Sequence, residues 1–190
     1  MTQTSKVRVR LIFSAARGAG FTLIELLITV VVLATLAAIA LPSLATLVKN
    51  NRLESVLGEV QYGFTYARSE AVTRRQQITV CATENGTSCS TGDPPAWQAG
   101  ALIFIDNPPI GTVDTGDTIL KYIGFDASGL KIANSATPPS FFSFTPTGNA
   151  TSTGSLTFCD TRSGPYGRQL QVFVAGRTES SKGFTCPGVP

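Results

Sequence analysis

The sequence predicts an α+β chain: a long N-terminal α-helix, transmembrane in its first half, packed on a C-terminal antiparallel β-sheet or small β-sandwich. Three observations predict it. A 21-residue apolar run, FTLIELLITVVVLATLAAIAL, occupies positions 21–41 and carries one ionisable group, Glu25. A stripe of apolar residues at helical spacing follows it, and beyond position 76 the pattern changes to short β-type runs separated by Gly, Pro, Asn and Asp.

The first twenty residues hold Lys6, Arg8, Arg10 and Arg17 and no acid, leaving eleven basic residues against twelve acidic ones in the rest of the chain. The formal net charge of +3 therefore belongs wholly to this segment. A helix over 21–41 is roughly 30 Å long at about 1.5 Å per residue, the thickness of a bilayer's hydrocarbon core. Cations just before it place the N-terminus in the cytoplasm and the rest of the chain outside. Residues 1–20 read as a cytoplasmic leader, 21–41 as a transmembrane helix, 42–76 as its amphipathic continuation and 77–190 as an exported β-rich head.

Pro42 closes the span, since a proline removes a helical hydrogen bond. Helical spacing then resumes: Leu53, Leu57, Val60, Phe64, Ala67 and Ala71 step by four and three, while Arg52, Glu54, Glu59, Arg68, Glu70, Arg74 and Arg75 fall mostly on other faces. That stripe reads as core packing against the head, in one helix from about Phe21 to Arg75. Short β-type runs follow at Gln77–Ala82, Ala101–Asp106, Ile119–Phe125, Phe141–Thr145, Ser155–Cys159 and Gln169–Ala175. Asp126–Gly129, Pro146–Asn149 and Ser163–Pro165 read as turns. No helical segment separates the runs, so antiparallel pairing is expected.

All four cysteines, Cys81, Cys89, Cys159 and Cys186, lie beyond the span, in a compartment that permits disulfides. They allow three connectivities, of which the local one, Cys81–Cys89 and Cys159–Cys186, is expected. They lack the close CxxC pairs of a zinc site, so no metal or cofactor is expected. Histidine is absent, as are a G-x-S-x-G elbow, a phosphate-binding Gly loop and an HExxH motif. The chain is read as a structural protein rather than an enzyme.

The small residues Gly18-Ala19-Gly20 stand between the charges and the apolar run, the reverse of their place in an ordinary signal peptide. Gly20-Phe21-Thr22-Leu23-Ile24-Glu25 resembles the processing site of type IV prepilins and type II secretion pseudopilins. The resemblance implies that a prepilin peptidase cuts after Gly20 and N-methylates Phe21. It also implies that Glu25 pairs with the free α-amino group of a neighbouring subunit's first residue, an ion pair that makes two charges tolerable in lipid. The segment Ala67-Arg68-Ser69-Glu70-Ala71 is similar to the end of the long helix in the GspH/FimT branch of pseudopilins and minor pilins. Membership implies a type IV pilin-like fold and partnership with other pilins or pseudopilins, with prepilin peptidase and with inner-membrane lipid.

A minor pilin, one that helps prime or build a type IV pilus, is the preferred reading. The cysteine-stapled C-terminus, which resembles that of FimU-like minor pilins, supports it over a type II secretion pseudopilin. Some members of the branch bind DNA in natural transformation through a Gly-Arg-x-Arg motif. The matching stretch here is Gly176-Arg177-Thr178-Glu179, with an acid in the second arginine's place. Arg162, Arg168, Arg177 and Lys182 are the candidate DNA contacts; with Asp160 and Glu179 they leave residues 160–190 a net +2. Such a patch would touch roughly two to four phosphates, with strong salt dependence.

Overall fold

A computed structural model describes residues 21–92, 97–127, 129–134 and 140–187. The chain divides into two units, one ending at Ser43 and one beginning at Leu44. In the first, helix α1 (Leu23–Arg74) begins behind Thr22, whose hydroxyl accepts the Glu25 backbone N–H at 3.3 Å. Side chains from Phe21 to Leu41 are all exposed, and the helix is long and apolar enough to cross a membrane. Its two threonines find partners in the helix itself: Thr29 and Thr35 donate to the carbonyls of Leu26 and Val32, each at 2.8 Å.

In the second unit α1 runs on to Arg74, and Arg75 stops it by adopting a left-handed φ of 56°. The stripe residues Leu53, Leu57, Val60, Phe64, Ala67 and Ala71 are all buried, together with Val56. Eight strands follow among the described residues: β1 (Ile78–Ala82), β2 (Gly100–Ile105), β3 (Thr118–Gly124), β4 (Lys131–Asn134), β5 (Phe141–Phe144), β6 (Gly154–Cys159), β7 (Ser163–Val172) and β8 (Thr178–Pro187). They form two four-stranded antiparallel sheets, ordered β3-β2-β1-β5 and β4-β6-β7-β8. One apolar core joins the helix stripe to both, through Ile78, Val80, Ile103, Phe142 and Phe144 of the first sheet and Ile132, Leu156, Phe158, Leu170 and Val172 of the second.

The first sheet is covered on both faces over β1 and β2, while its edge strand β3 is largely exposed. Cys81, Leu102 and Phe104 form a second small cluster with Cys89, Val113 and Phe141, which is why β1 is buried at every position.

The structure departs from the sequence reading in the second sheet. β4 and β8 lie outside the runs that composition predicts, because Lys131-Ile132-Ala133-Asn134 is too short to show alternation and β8 is built largely of polar and small residues. β7 starts at Ser163 rather than Gln169, so Ser163-Gly164-Pro165 is strand and not turn. The register shifts at Gly164 and Gly167 accommodate a proline that has no N–H to give. Phe173–Ala175, read as strand, belongs to the β7–β8 turn instead: Gly176 N–H bonds Phe173 O at 2.8 Å and Phe173 N–H bonds Arg177 O at 3.0 Å. Trp97, in a stretch with no pattern of its own, is fully buried against Phe64 and Phe142.

Candidate functional site

The residues singled out from the sequence fall into three places. Gly20 lies outside the described residues. Phe21 is 82% exposed, and Glu25 stands in the first turn of α1, where the helix dipole favours a carboxylate. The cysteines form two disulfides in the local connectivity. Cys81–Cys89 closes the loop after β1 with its Cα atoms 5.6 Å apart, and Cys159–Cys186 joins the end of β6 to β8 at 5.7 Å. A bridge over a loop of the second kind contributes about 3 kcal/mol by restricting the unfolded chain.

The four candidate DNA-contacting cations lie on β7, β8 and the adjoining turns, and each meets a carboxylate. Arg162 donates from Nε to Asp160 Oδ2 at 2.8 Å and from Nη2 to Asn50 Oδ1 of α1 at 2.9 Å, and the Tyr166 ring lies 4.3 Å from its guanidinium carbon. Burial works to raise the Asp160 pKa, but the Arg162 hydrogen bonds and charge overcome it and hold the carboxyl below its usual value. Arg168 is 9% exposed; its Nε bonds Glu54 Oε1 at 2.9 Å and its Nη1 bonds the Tyr166 carbonyl at 2.8 Å. Lys182 Nζ reaches the same Glu54 oxygen at 2.9 Å. Arg177 pairs with Glu179 at 3.1 Å over the Phe173 ring, with both partners well exposed. Arg162 and Arg168 are thus internal braces between strand and helix, and only Arg177 and Lys182 present much of their side chains to solvent.

Glu54 is the site residue that sequence reasoning passes over. It is one of several charged residues flanking the stripe, and nothing local marks its two partners, more than a hundred positions away. The Lys182 and Arg168 hydrogen bonds hold its carboxyl below the ordinary value of 4.5. The contribution to stability is therefore present above that value and fades as the pH falls through the lower folded-state pKa. Glu54→Gln is expected to cost about 1 kcal/mol at pH 7, the modest sum of a partly exposed network. Denaturant titrations of both proteins at pH 7 and pH 3 check this: the gap narrows at pH 3, and a gap independent of pH contradicts it.

At the far end of the helix segment, Arg68 Nε donates to the Gly148 carbonyl at 2.9 Å. Gly176, with φ of +70°, sits directly over that carbonyl: a Cβ there would lie 1.9 Å from Gly148 O. The Gly-Arg element that suggested nucleic acid therefore has a packing reason of its own.

No curated protein matches the chain. Among solved structures it is similar to the type IV minor pilin FimU of Pseudomonas aeruginosa, with 23% identity over 74% of this chain and 96% of that one and a TM-score of 0.55. A second crystal form of FimU gives 21% identity, coverage of 72% and 98%, and a TM-score of 0.52. At this identity the likeness shows a shared fold, one long N-terminal helix with antiparallel sheets. The prokaryotic N-terminal methylation motif matches residues 16–41. The model of the family described as type II transport protein GspH matches residues 58–176, more than half of the sequence, and the chain accordingly belongs to the GspH family of pilin-type proteins.

Proposed function

We propose that the chain is a minor pilin that primes or builds a type IV pilus. It is made as a single-pass inner-membrane precursor with the basic leader 1–20 in the cytoplasm and the head in the periplasm. Prepilin peptidase cuts after Gly20 and methylates Phe21. The observation that carries this reading is the methylation motif running directly into an apolar helix, ahead of a GspH-family head. In the filament, Glu25 pairs with the α-amino group of a neighbouring pilin's first residue.

The pilus is favoured over the type II secretion machine by the C-terminal strand stapled through Cys159–Cys186, the feature resembling FimU-like minor pilins. The family's own description supports the secretion reading. DNA contact has the lesser support: each of its four cations meets a carboxylate, and two are withdrawn into the fold.

Glu25→Ala tests the filament role. Loss of one partner from an ion pair in lipid costs about 3–5 kcal/mol, so incorporation into sheared filaments falls more than tenfold while membrane insertion and leader removal continue. Undiminished incorporation contradicts the proposed pairing. Deletion, scored for twitching and for exoprotein release, separates the machines: loss of twitching alone supports the pilus, and loss of exoprotein release alone supports the secretion system.

A further inference from the structure

The α1 segment around Lys49 and Arg52 and the chain at positions 129–130 and 160–161 enclose a recess of about 150 Å³, lined by Lys49, Arg52, Gly129, Leu130, Asp160 and Thr161. Leu130 is a buried apolar wall, and two cations stand beside it. Lys49 Nζ meets Thr161 Oγ1 at 3.5 Å, the limit of a hydrogen bond, and an ammonium has three donors to place. Arg52 Nη2 donates to Asp126 Oδ1 at 3.1 Å and to the Asp126 carbonyl at 3.3 Å; the Asp126 side chain is 85% exposed, so the ion pair itself is weak. Asp160 is the one carboxylate of the lining. Its side chain is 5% exposed and takes the Arg162 backbone N–H and guanidinium, while the nearby Lys49 charge adds a smaller attraction.

We propose that this recess binds the phosphate of an anionic glycerophospholipid headgroup, with Lys49 and Arg52 donating to the phosphate oxygens and Leu130 lying against the glycerol. The guanidinium fork and the ammonium are the donors that phosphate recognition uses. The chain's charge pattern points to lipid rather than to a free anion. No charged residue occurs between Glu25 and Lys49. Those 23 residues are as many as a helix needs to cross a hydrocarbon core of about 30 Å. Lys49 and Arg52 are then the first cations after the span in the sequence, and juxtamembrane basic residues of this kind are the ones anionic headgroups attract. The inference rests on the membrane-anchored reading given above.

The test uses the full-length protein purified in a mild detergent. It is titrated separately with dioleoylphosphatidylglycerol, dioleoylphosphatidylcholine and inorganic phosphate, and bound adducts are counted by native mass spectrometry. Saturable phosphatidylglycerol adducts, in preference to phosphatidylcholine, are expected. They fall about fivefold in Lys49→Gln and more than about tenfold in Lys49→Gln/Arg52→Gln; Lys121→Gln, elsewhere on the head, leaves them unchanged. The single variant loses the long Thr161 contact and a weak attraction to Asp160, so it reads the site even where the double variant folds poorly. Equal binding of the two lipids, or full retention by Lys49→Gln, overturns the proposal. Competition by inorganic phosphate as strong as by phosphatidylglycerol overturns the assignment to lipid. Fractionation of the expressing cells reports on the anchor separately. Protein in the soluble fraction refutes the membrane-anchored reading, whereas membrane-bound protein without a lipid preference refutes only the headgroup site.

Discussion

Phe64→Ala is expected to lower the stability of the head by about 4 kcal/mol, within the range for deleting a buried aromatic ring. Phe64 is 1% exposed and meets three other rings: Trp97 at 6.3 Å, Phe142 edge-on at 5.1 Å and Phe144 edge-on at 6.3 Å. It comes from the helix, Phe142 and Phe144 from β5 and Trp97 from the connection before β2, so the cavity would open where these meet. Little can collapse into it, because Val60, Ala67 and Ile103 around the same core are themselves fully packed. Trp97 is the one tryptophan of the chain, so its fluorescence reports the transition directly. A denaturant titration of the full chain in detergent should show a lower midpoint with an unchanged slope. A loss below about 1 kcal/mol would mean that the ring cluster contributes far less than its burial implies.

Gly176→Ala is expected to cost about 3 kcal/mol, since a methyl placed on the Gly148 carbonyl forces backbone to move and a left-handed φ strains any residue bearing a Cβ. The Arg68 hydrogen bond to Gly148 O is lost in the same displacement. Arg177→Ala provides the contrast. Its ion pair with Glu179 is exposed on both sides, so removing it should change stability by less than about 1 kcal/mol. The pair of titrations separates two explanations for a Gly-Arg dipeptide in this turn. A large glycine effect with a small arginine effect fits packing against the 145–149 loop. The reverse order contradicts it.

The helix and its buried stripe were legible because their pattern is local. Leu53, Leu57, Val60, Phe64, Ala67 and Ala71 declare one face by spacing alone, and an apolar run of 21 residues declares its medium. Strands such as β1, β2, β5 and β6 were legible from β-branched and aromatic content. What was not legible depends on partners distant in sequence. β8 is a strand because β7 lies beside it and Cys186 is bonded to Cys159, not because Thr178–Pro187 favours extended structure. Trp97 is core because the Phe64 and Phe142 rings pack against it, though its own neighbours read as loop. The candidate site divides the same way. The GFTLIE hexapeptide is a contiguous signal. By contrast, the role of Arg168 depended on the distant Glu54, and that of Arg162 on the distant Asn50 and on the burial of its neighbour Asp160, so a count of C-terminal charge overstated the cations on offer to a ligand.

β8 is also the outer strand of its sheet, and its residues from Glu179 to Thr185 are exposed. An unpaired strand edge is a template on which other chains add, a hazard for a protein handled at high local concentration. Here the edge carries Glu179, Lys182 and Gly183, and the irregular register of β7 at Gly164 and Gly167 bends the pair out of flatness. The low β-propensity that hides this strand in the sequence thus becomes a safeguard. The head can keep this border, exposed from Glu179 to Thr185, open to water with little tendency to pair edge to edge with copies of itself.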